Sequence, residues 1–223
     1  MKTRHVFSTP DLATARAAMD AARGAGVRDD DLLLISGRDI NLLAATSSGE
    51  QSSSKSRKSL TSADGRSSQS TWQSPEGSQL QGGDIELHAA QDIQMQGSAL
   101  RAEGAALLSA GRDIDIGSVV HSQSQSNSSH SSRVGFAHHG LLTQEQKAQQ
   151  GQQTQHEAMG SLLSADSLQL DSGRDTRIAG SQLVADGNID IDAGRDLLVI
   201  SSESQASYSS QSSKRQAGEI GEW

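Results

Sequence analysis

Residues 92–113, DIQMQGSALRAEGAALLSAGRD, lie over residues 175–196, DTRIAGSQLVADGNIDIDAGRD, at a constant offset of 83 and without a gap. Ten of the 22 aligned positions are identical. A finer period runs inside each copy. Shifting 83–95 (GDIELHAAQDIQM) by 21 residues gives 104–116 (GAALLSAGRDIDI), and shifting 167–178 by 21 gives 188–199. Short alternating strands parted by Gly, Asp and Ala, recurring at this interval, are the signature of a solenoid, in which each unit buries its apolar face against the next. Such a chain is more often a scaffold or a binding surface than an enzyme.

The phrase Gly-Arg-Asp-hydrophobic, at 37–40, 111–114 and 194–197, sets the register. Aligned on its Asp, Leu32 and Leu34 take the places of Ala106 and Leu108, then of Ile189 and Ile191. Ile40 and Leu42 likewise match Ile114 and Ile116, then Leu197 and Val199. Because successive side chains of a strand point to opposite faces, these form the inward set, with Glu86, Gln94, Asp115, Gln169 and Asp190 directed outward. The inward columns expected in the first strand of each rung are Leu32/Leu34, Ile85/Leu87, Ala106/Leu108, Leu168/Leu170 and Ile189/Ile191, which makes about five rungs. A weaker inward site falls at Leu100 and Leu183, flanked by Gly97-Ser98 and Gly104, or by Gly180-Ser181 and Gly187, glycines suited to corners that need positive φ.

Composition agrees with a narrow, one-dimensional core. Aromatic residues make up 2% of the chain (Phe7, Trp72, Phe136, Tyr208 and Trp223), whereas Ser (38), Gln (22) and Gly (22) dominate outside the repeats. A compact globular core of this length would normally lean on large aromatic side chains. The net charge of -8 argues against a nucleic-acid partner, and Lys55-Ser-Arg57-Lys58, the nearest approach to a basic run, reads as a solvated loop. Cysteine is absent, which excludes disulfides and thiolate chemistry. No stretch approaches the ~18 apolar residues of a membrane span, and the N-terminus has no apolar core of a signal peptide.

Residues 1–31 differ from the rest. Val6-Phe7-Ser8 suits a strand; Thr9 and Pro10 open a helix over 11–23, with Leu12, Ala15, Met19 and Ala22 on one face; Gly24 and Gly26 end it. A strand follows over 31–35. This opening reads as foreign to the repeats, with a cap over Leu32 and Leu34 as the alternative. Three Ser/Gln-rich excursions, 46–82, 118–161 and 201–216, follow the Gly-Arg-Asp strands, and 217–223 is a tail. Flexible loops and hairpins both fit the excursions, and the composition favours mobility, with a short polar helix broken by Gly151 allowed over 143–160.

Chemistry finds little footing. Stacked Asp39, Asp113, Asp175 and Asp196, each preceded by Arg, suggest a cation site, but an Asp opening a strand more simply accepts backbone donors from its own turn and from the next rung. Of the seven histidines (His5, His88, His121, His130, His138, His139 and His156), only His138 and His139 are adjacent, and three of the others sit in polar excursions without a carboxylate at ligand spacing, so a surface role is the default. Asp190 with Asp192, or Asp113 with Asp115, share a strand face and mimic a glycosidase pair, yet nothing beside them raises one pKa. The expectation is therefore no catalytic, cofactor-binding or metal residue, with a polysaccharide-degrading β-helix enzyme as the alternative.

The segments GGDIELHAAQDIQMQGSALRAEGAALLSAGRDIDI, SLQLDSGRDTRIAGSQLVADGNIDIDAGRDLLVISSESQASYSSQSS and SGRDINLLAATSSGEQSSSKS closely resemble the haemagglutinin repeats of filamentous haemagglutinin and of contact-dependent growth-inhibition exoproteins. The resemblance covers roughly 32–216, and a Gly-Arg-Asp strand running into a Ser-rich tract is similar to the second repeat block of that family. It implies an all-β, right-handed parallel β-helix with rungs of about 21 residues. It also implies a virulence-associated role in adhesion or toxin delivery, export of the parent by a two-partner secretion transporter, and an outer-membrane protein or surface glycan of a target cell as partner. The family's signal peptide, secretion domain, Val-Glu-Asn-Asn pretoxin motif and toxin domain are not found, so the sequence is expected to be a non-exported fragment.

Overall fold

The structure is a computed structural model that describes residues 30–136 and 142–218. The helix expected over 11–23, its docking on Leu32 and Leu34, His138-His139 and the end of the tail lie outside the described residues. Every element among the described residues is a strand.

The chain divides into two units. Among the described residues the first comprises 30–46, Pro75–Val120 and Ala158–Glu203; the second comprises Ser47–Ser74, 121–136, 142–157 and 204–218. In chain order, β1 (Leu32–Ser36) and β2 (Ile40–Leu43) open the first unit. The long strands β3 (Ala45–Lys58) and β4 (Ser62–Glu76) then lead to β5 (Gln79–Gly82), β6 (Ile85–Ala89) and β7 (Ile93–Gln96). After β8 (Ala99–Ala102), β9 (Ala105–Ala110) and β10 (Ile114–Gly117) come the long β11 (Val119–Phe136) and β12 (Leu142–Met159). The remaining strands are β13 (Leu162–Ala165), β14 (Ser167–Ser172), β15 (Asp175–Ala179), β16 (Gln182–Ala185), β17 (Ile189–Ala193), β18 (Asp196–Ile200) and the long β19 (Gln205–Gly218).

In the first unit the short strands fall into three parallel sheets with the same stacking order: β1-β6-β9-β14-β17, β2-β7-β10-β15-β18 and β5-β8-β13-β16. Each passage of the chain visits the three sheets in turn and then starts the next level. This is an all-β, β-helix-like arrangement of repeated strands. Its register is the one expected from the sequence. Leu32 pairs with Ile85, Ile85 with Ala106, Ala106 with Leu168 and Leu168 with Ile189; Leu34, Leu87, Leu108, Leu170 and Ile191 follow two residues on. The second sheet stacks Ile40, Ile93, Ile114, Thr176 and Leu197, with Leu42, Met95, Ile116, Ile178 and Val199 behind them. The third stacks Leu80, Leu100, Leu163 and Leu183. Most of these side chains form one buried aliphatic cluster, and burial of that area is the main stabilising term. The columns end abruptly in the last level, where Leu197 is 50% and Val199 64% exposed.

Residues 79–82, placed in an excursion from the sequence, are instead β5 and pair with β8. The missed signal is Gly-Ser-x-Leu, which occurs at 77–80, 97–100, 160–163 and 180–183. Gly97 and Gly180 turn this corner with φ of 57° and 55°, the left-handed region that a Cβ disfavours. Gly104 and Gly187, also expected to need positive φ, do not adopt it.

The second unit holds a five-stranded sheet ordered β3-β4-β11-β12-β19. β11 pairs antiparallel with β4 from Ser122↔Gln73 to Arg133↔Ser62, and β12 with β19 from Thr143↔Gly218 to His156↔Gln205. The mobility expected of these segments, and the helix allowed over 143–160, are replaced by long strands. Their Ser-x-Ser alternation carries the period of a strand while leaving both faces polar. Pairing over so many residues forms the sheet, because the backbone groups that face a neighbouring strand find partners there.

Candidate functional site

The most regular chemical feature of the first unit is built on the Gly-Arg-Asp corners. Arg112 Nε donates to Asp92 at 2.9 Å, Arg174 Nε to Asp113 at 3.0 Å and Arg195 Nε to Asp175 at 2.8 Å. In each pair the Nη2 group grips the second carboxylate oxygen, so the fork is bidentate. Each Arg thus clamps the Asp of the preceding level. The same carboxylates accept from the backbone above: Asp113 N–H reaches Asp92 and Asp175 N–H reaches Asp113, both at 3.3 Å. The Arg guanidinium beside each carboxylate holds Asp92, Asp113 and Asp175 below the ordinary carboxylate value, with backbone donors adding to the effect.

These carboxylates therefore serve the stack, as expected from their position at strand starts. A folded-state pKa below the unfolded one gives stability that is present above the unfolded value, about 3.9 for Asp, and lost as pH falls through the folded value. Melting temperature is expected to be flat from about pH 7 to 5 and to drop below about pH 4. Arg174→Gln is expected to flatten that acid limb; an unchanged acid limb in the variant would show that the clamp carries no linkage.

A second ladder follows the Gly-Ser-x-Leu corner. The Ser98 hydroxyl donates to the Leu42 carbonyl at 2.9 Å and the Ser161 hydroxyl to the Gly117 carbonyl at 2.8 Å. Ser98 N–H in turn donates to Ser161 Oγ, and Ser161 N–H to Ser181 Oγ. Ser98 and Ser161 are buried, so every lost bond leaves an unsolvated backbone group. Ser161→Ala is expected to cost about 1–3 kcal/mol, measured by urea unfolding, whereas Ser164→Ala on the neighbouring strand changes little.

The carboxylate pairs weighed as glycosidase candidates do not converge on a reaction centre. Asp113 is clamped by Arg174, and Asp115 is held by Arg177 at 2.9 Å. Asp190 and Asp192 lie exposed on β17. His88 reaches Glu86 at 3.3 Å on an exposed face, and among the described residues no group of His, Asp and Glu is arranged to hold a metal ion. No helix among the described residues is long and apolar enough to cross a membrane.

The second unit presents a different surface. Ser67 and Ser128 hydroxyls meet at 2.7 Å across β4 and β11, and Gln69 Nε2 donates to Glu50 at 2.8 Å. A hollow of about 700 Å³ takes Ser, Gln and Asn side chains from all five strands, with Tyr208 on its wall. Such a lining offers many neutral donors and acceptors beside the cations of Lys55 and Arg66.

A family model described as Hemagglutinin repeat matches residues 61–217. The chain belongs to the hemagglutinin repeat family. The match spans parts of both units, and so includes the Arg–Asp and Ser ladders and much of the Ser/Gln sheet. Searches of curated proteins and of solved structures give no match. Hemagglutinin repeats are structural, adhesin-like segments of secreted or surface proteins, and the hydroxyl- and amide-rich sheet and salt-bridged carboxylates of this repeat accord with that role.

Proposed function

We propose that this hemagglutinin repeat is a non-catalytic structural and interaction segment of a secreted cell-surface adhesin or contact-dependent toxin-delivery protein. The observation that carries the reading is the family match over 61–217. The parallel sheets support it physically. A stack held by aliphatic columns and polar corner ladders propagates along one direction, and its sides become the working surface. In this reading the first unit is a right-handed parallel β-helix. The parent protein is exported through a two-partner secretion transporter, and the partner is an outer-membrane receptor protein or a surface glycan of a target cell.

Binding of the fluorescently labelled chain to intact Gram-negative cells tests the proposal. Saturable binding is expected, abolished by protease treatment of the cells if the receptor is a protein and by periodate oxidation if it is a glycan. Absence of binding to any such cell would contradict it. So would turnover of a polysaccharide that disappears in Asp190→Asn or Asp192→Asn.

A further inference from the structure

The chain carries a net charge of -8, yet the described residues of the second unit hold eight Lys and Arg against four Asp and Glu. Much of that excess is gathered in one place. A hollow of about 650 Å³ is lined by Lys55 and Arg57 of β3, Arg66 of β4, Arg133 of β11 and Lys147 of β12, with Asp64 as its one carboxylate. The basic run 55–58, which reads as a solvated loop in the sequence, is therefore the end of a strand and one wall of a cavity.

The pairing of these cations differs from that in the first unit. There, Arg112, Arg174 and Arg195 each grip an Asp of the preceding level. In the hollow, Lys147 shares Glu145 with Lys214, both at 3.1 Å. Among the described residues, Lys55, Arg57, Arg66 and Arg133 have no ion pair with a carboxylate. Four like charges around one cavity repel one another, and a single Asp offsets only part of that. A bound anion removes the cost.

We propose that this hollow binds a compact ligand carrying two phosphate groups. Two phosphate monoesters bring about -3 to -4 at neutral pH, which matches four cations less Asp64. The planar guanidinium forks of Arg57, Arg66 and Arg133 suit bidentate contact with phosphate oxygens. The volume is that of a small-molecule site, within the usual range of about 300–1,000 Å³. The ligand is a soluble diphosphate or a phosphorylated lipid headgroup, which share this chemistry. The inference rests on the charges of the hollow and does not depend on the adhesin reading.

Calorimetric titration of the full chain with inorganic pyrophosphate, at low ionic strength, is the test. One saturable site is expected, weakened about tenfold or more in Arg66→Gln/Arg133→Gln and unchanged in Arg101→Gln, an exposed cation of the first unit. All three substitutions are at exposed positions, and far-UV circular dichroism verifies folding. Co-sedimentation with phosphatidylcholine vesicles containing phosphatidylinositol 4,5-bisphosphate, whose headgroup carries two phosphate monoesters, separates the sources. Vesicle binding lost in the double variant assigns the ligand to a lipid headgroup, and pyrophosphate binding without vesicle binding assigns it to a soluble diphosphate. No pyrophosphate binding would overturn the proposal. Equal weakening by Arg101→Gln would do the same, as would vesicle binding that survives the double variant.

Discussion

Leu108→Ala is expected to lower the unfolding free energy by about 3 kcal/mol, while Leu107→Ala, one residue away, changes it by less than about 1 kcal/mol. Leu108 is fully buried and stacks between Leu87 below and Leu170 above. Its truncation leaves a hole that neither neighbour fills, because both are fixed by their own strands. Leu107 points to the opposite face of the same strand and is only half-buried. In a one-dimensional stack the loss is also local to the two interfaces that Leu108 makes, so the levels on either side should melt less cooperatively. Urea unfolding followed by circular dichroism would show a lower midpoint and a broader transition for Leu108→Ala. Comparable losses for the two variants would mean that the inward and outward faces are misassigned.

The second large effect concerns glycines that look equivalent in the sequence. Gly173→Val is expected to cost about 3 kcal/mol or more, at the upper end of overpacking penalties. Gly37→Ala is expected to be neutral or slightly stabilising. A Cβ at Gly173 would lie 2.3 Å from the Gly111 carbonyl oxygen, and one at Gly194 would lie 2.4 Å from the Gly173 carbonyl oxygen. Each level is thus stacked so closely at this corner that the backbone below occupies the place of a side chain. Gly37 sits in the first level and meets nothing within 4 Å, so the same Gly-Arg-Asp phrase carries no steric demand there. Displacing Gly173 would also pull Arg174 from Asp113. Thermal melts of the two variants decide the point; equal melting temperatures would refute the close stacking.

These contrasts show what the sequence made legible. Leu32, Leu87, Leu108, Leu170 and Ile191 were assignable because a strand's period of two, combined with a fixed interval between Gly-Arg-Asp corners, fixes both face and level. Asp at the strand starts was readable as structural, although which Arg it meets was not: Arg174 and Asp113 are 61 residues apart. The third sheet was half-hidden, since β5 and β13 border polar excursions and each contributes a single Leu to the column, Leu80 partly buried and Leu163 fully. Thr176, buried in an otherwise aliphatic column and bonded to Ser172 Oγ at 2.9 Å, has no signature in one sequence. The Ser/Gln strands were the larger gap. Serine and glutamine are not among the β-branched and aromatic residues that mark a strand, and pairing such as Ser128 with Ser67 depends on segments far apart in the chain. The basic hollow stayed invisible for the same reason, because its cations come from four strands.

Methyl–methyl nuclear Overhauser contacts in a Leu/Ile-methyl-labelled sample test the stacked register most directly. The account predicts a continuous chain of contacts from Leu87 to Leu108, Leu108 to Leu170 and Leu170 to Ile191, at sequence separations of 21, 62 and 21 residues, with Leu107 absent from it. Contacts that place Leu107 in that column, or that skip from Leu87 to Leu170, would contradict it.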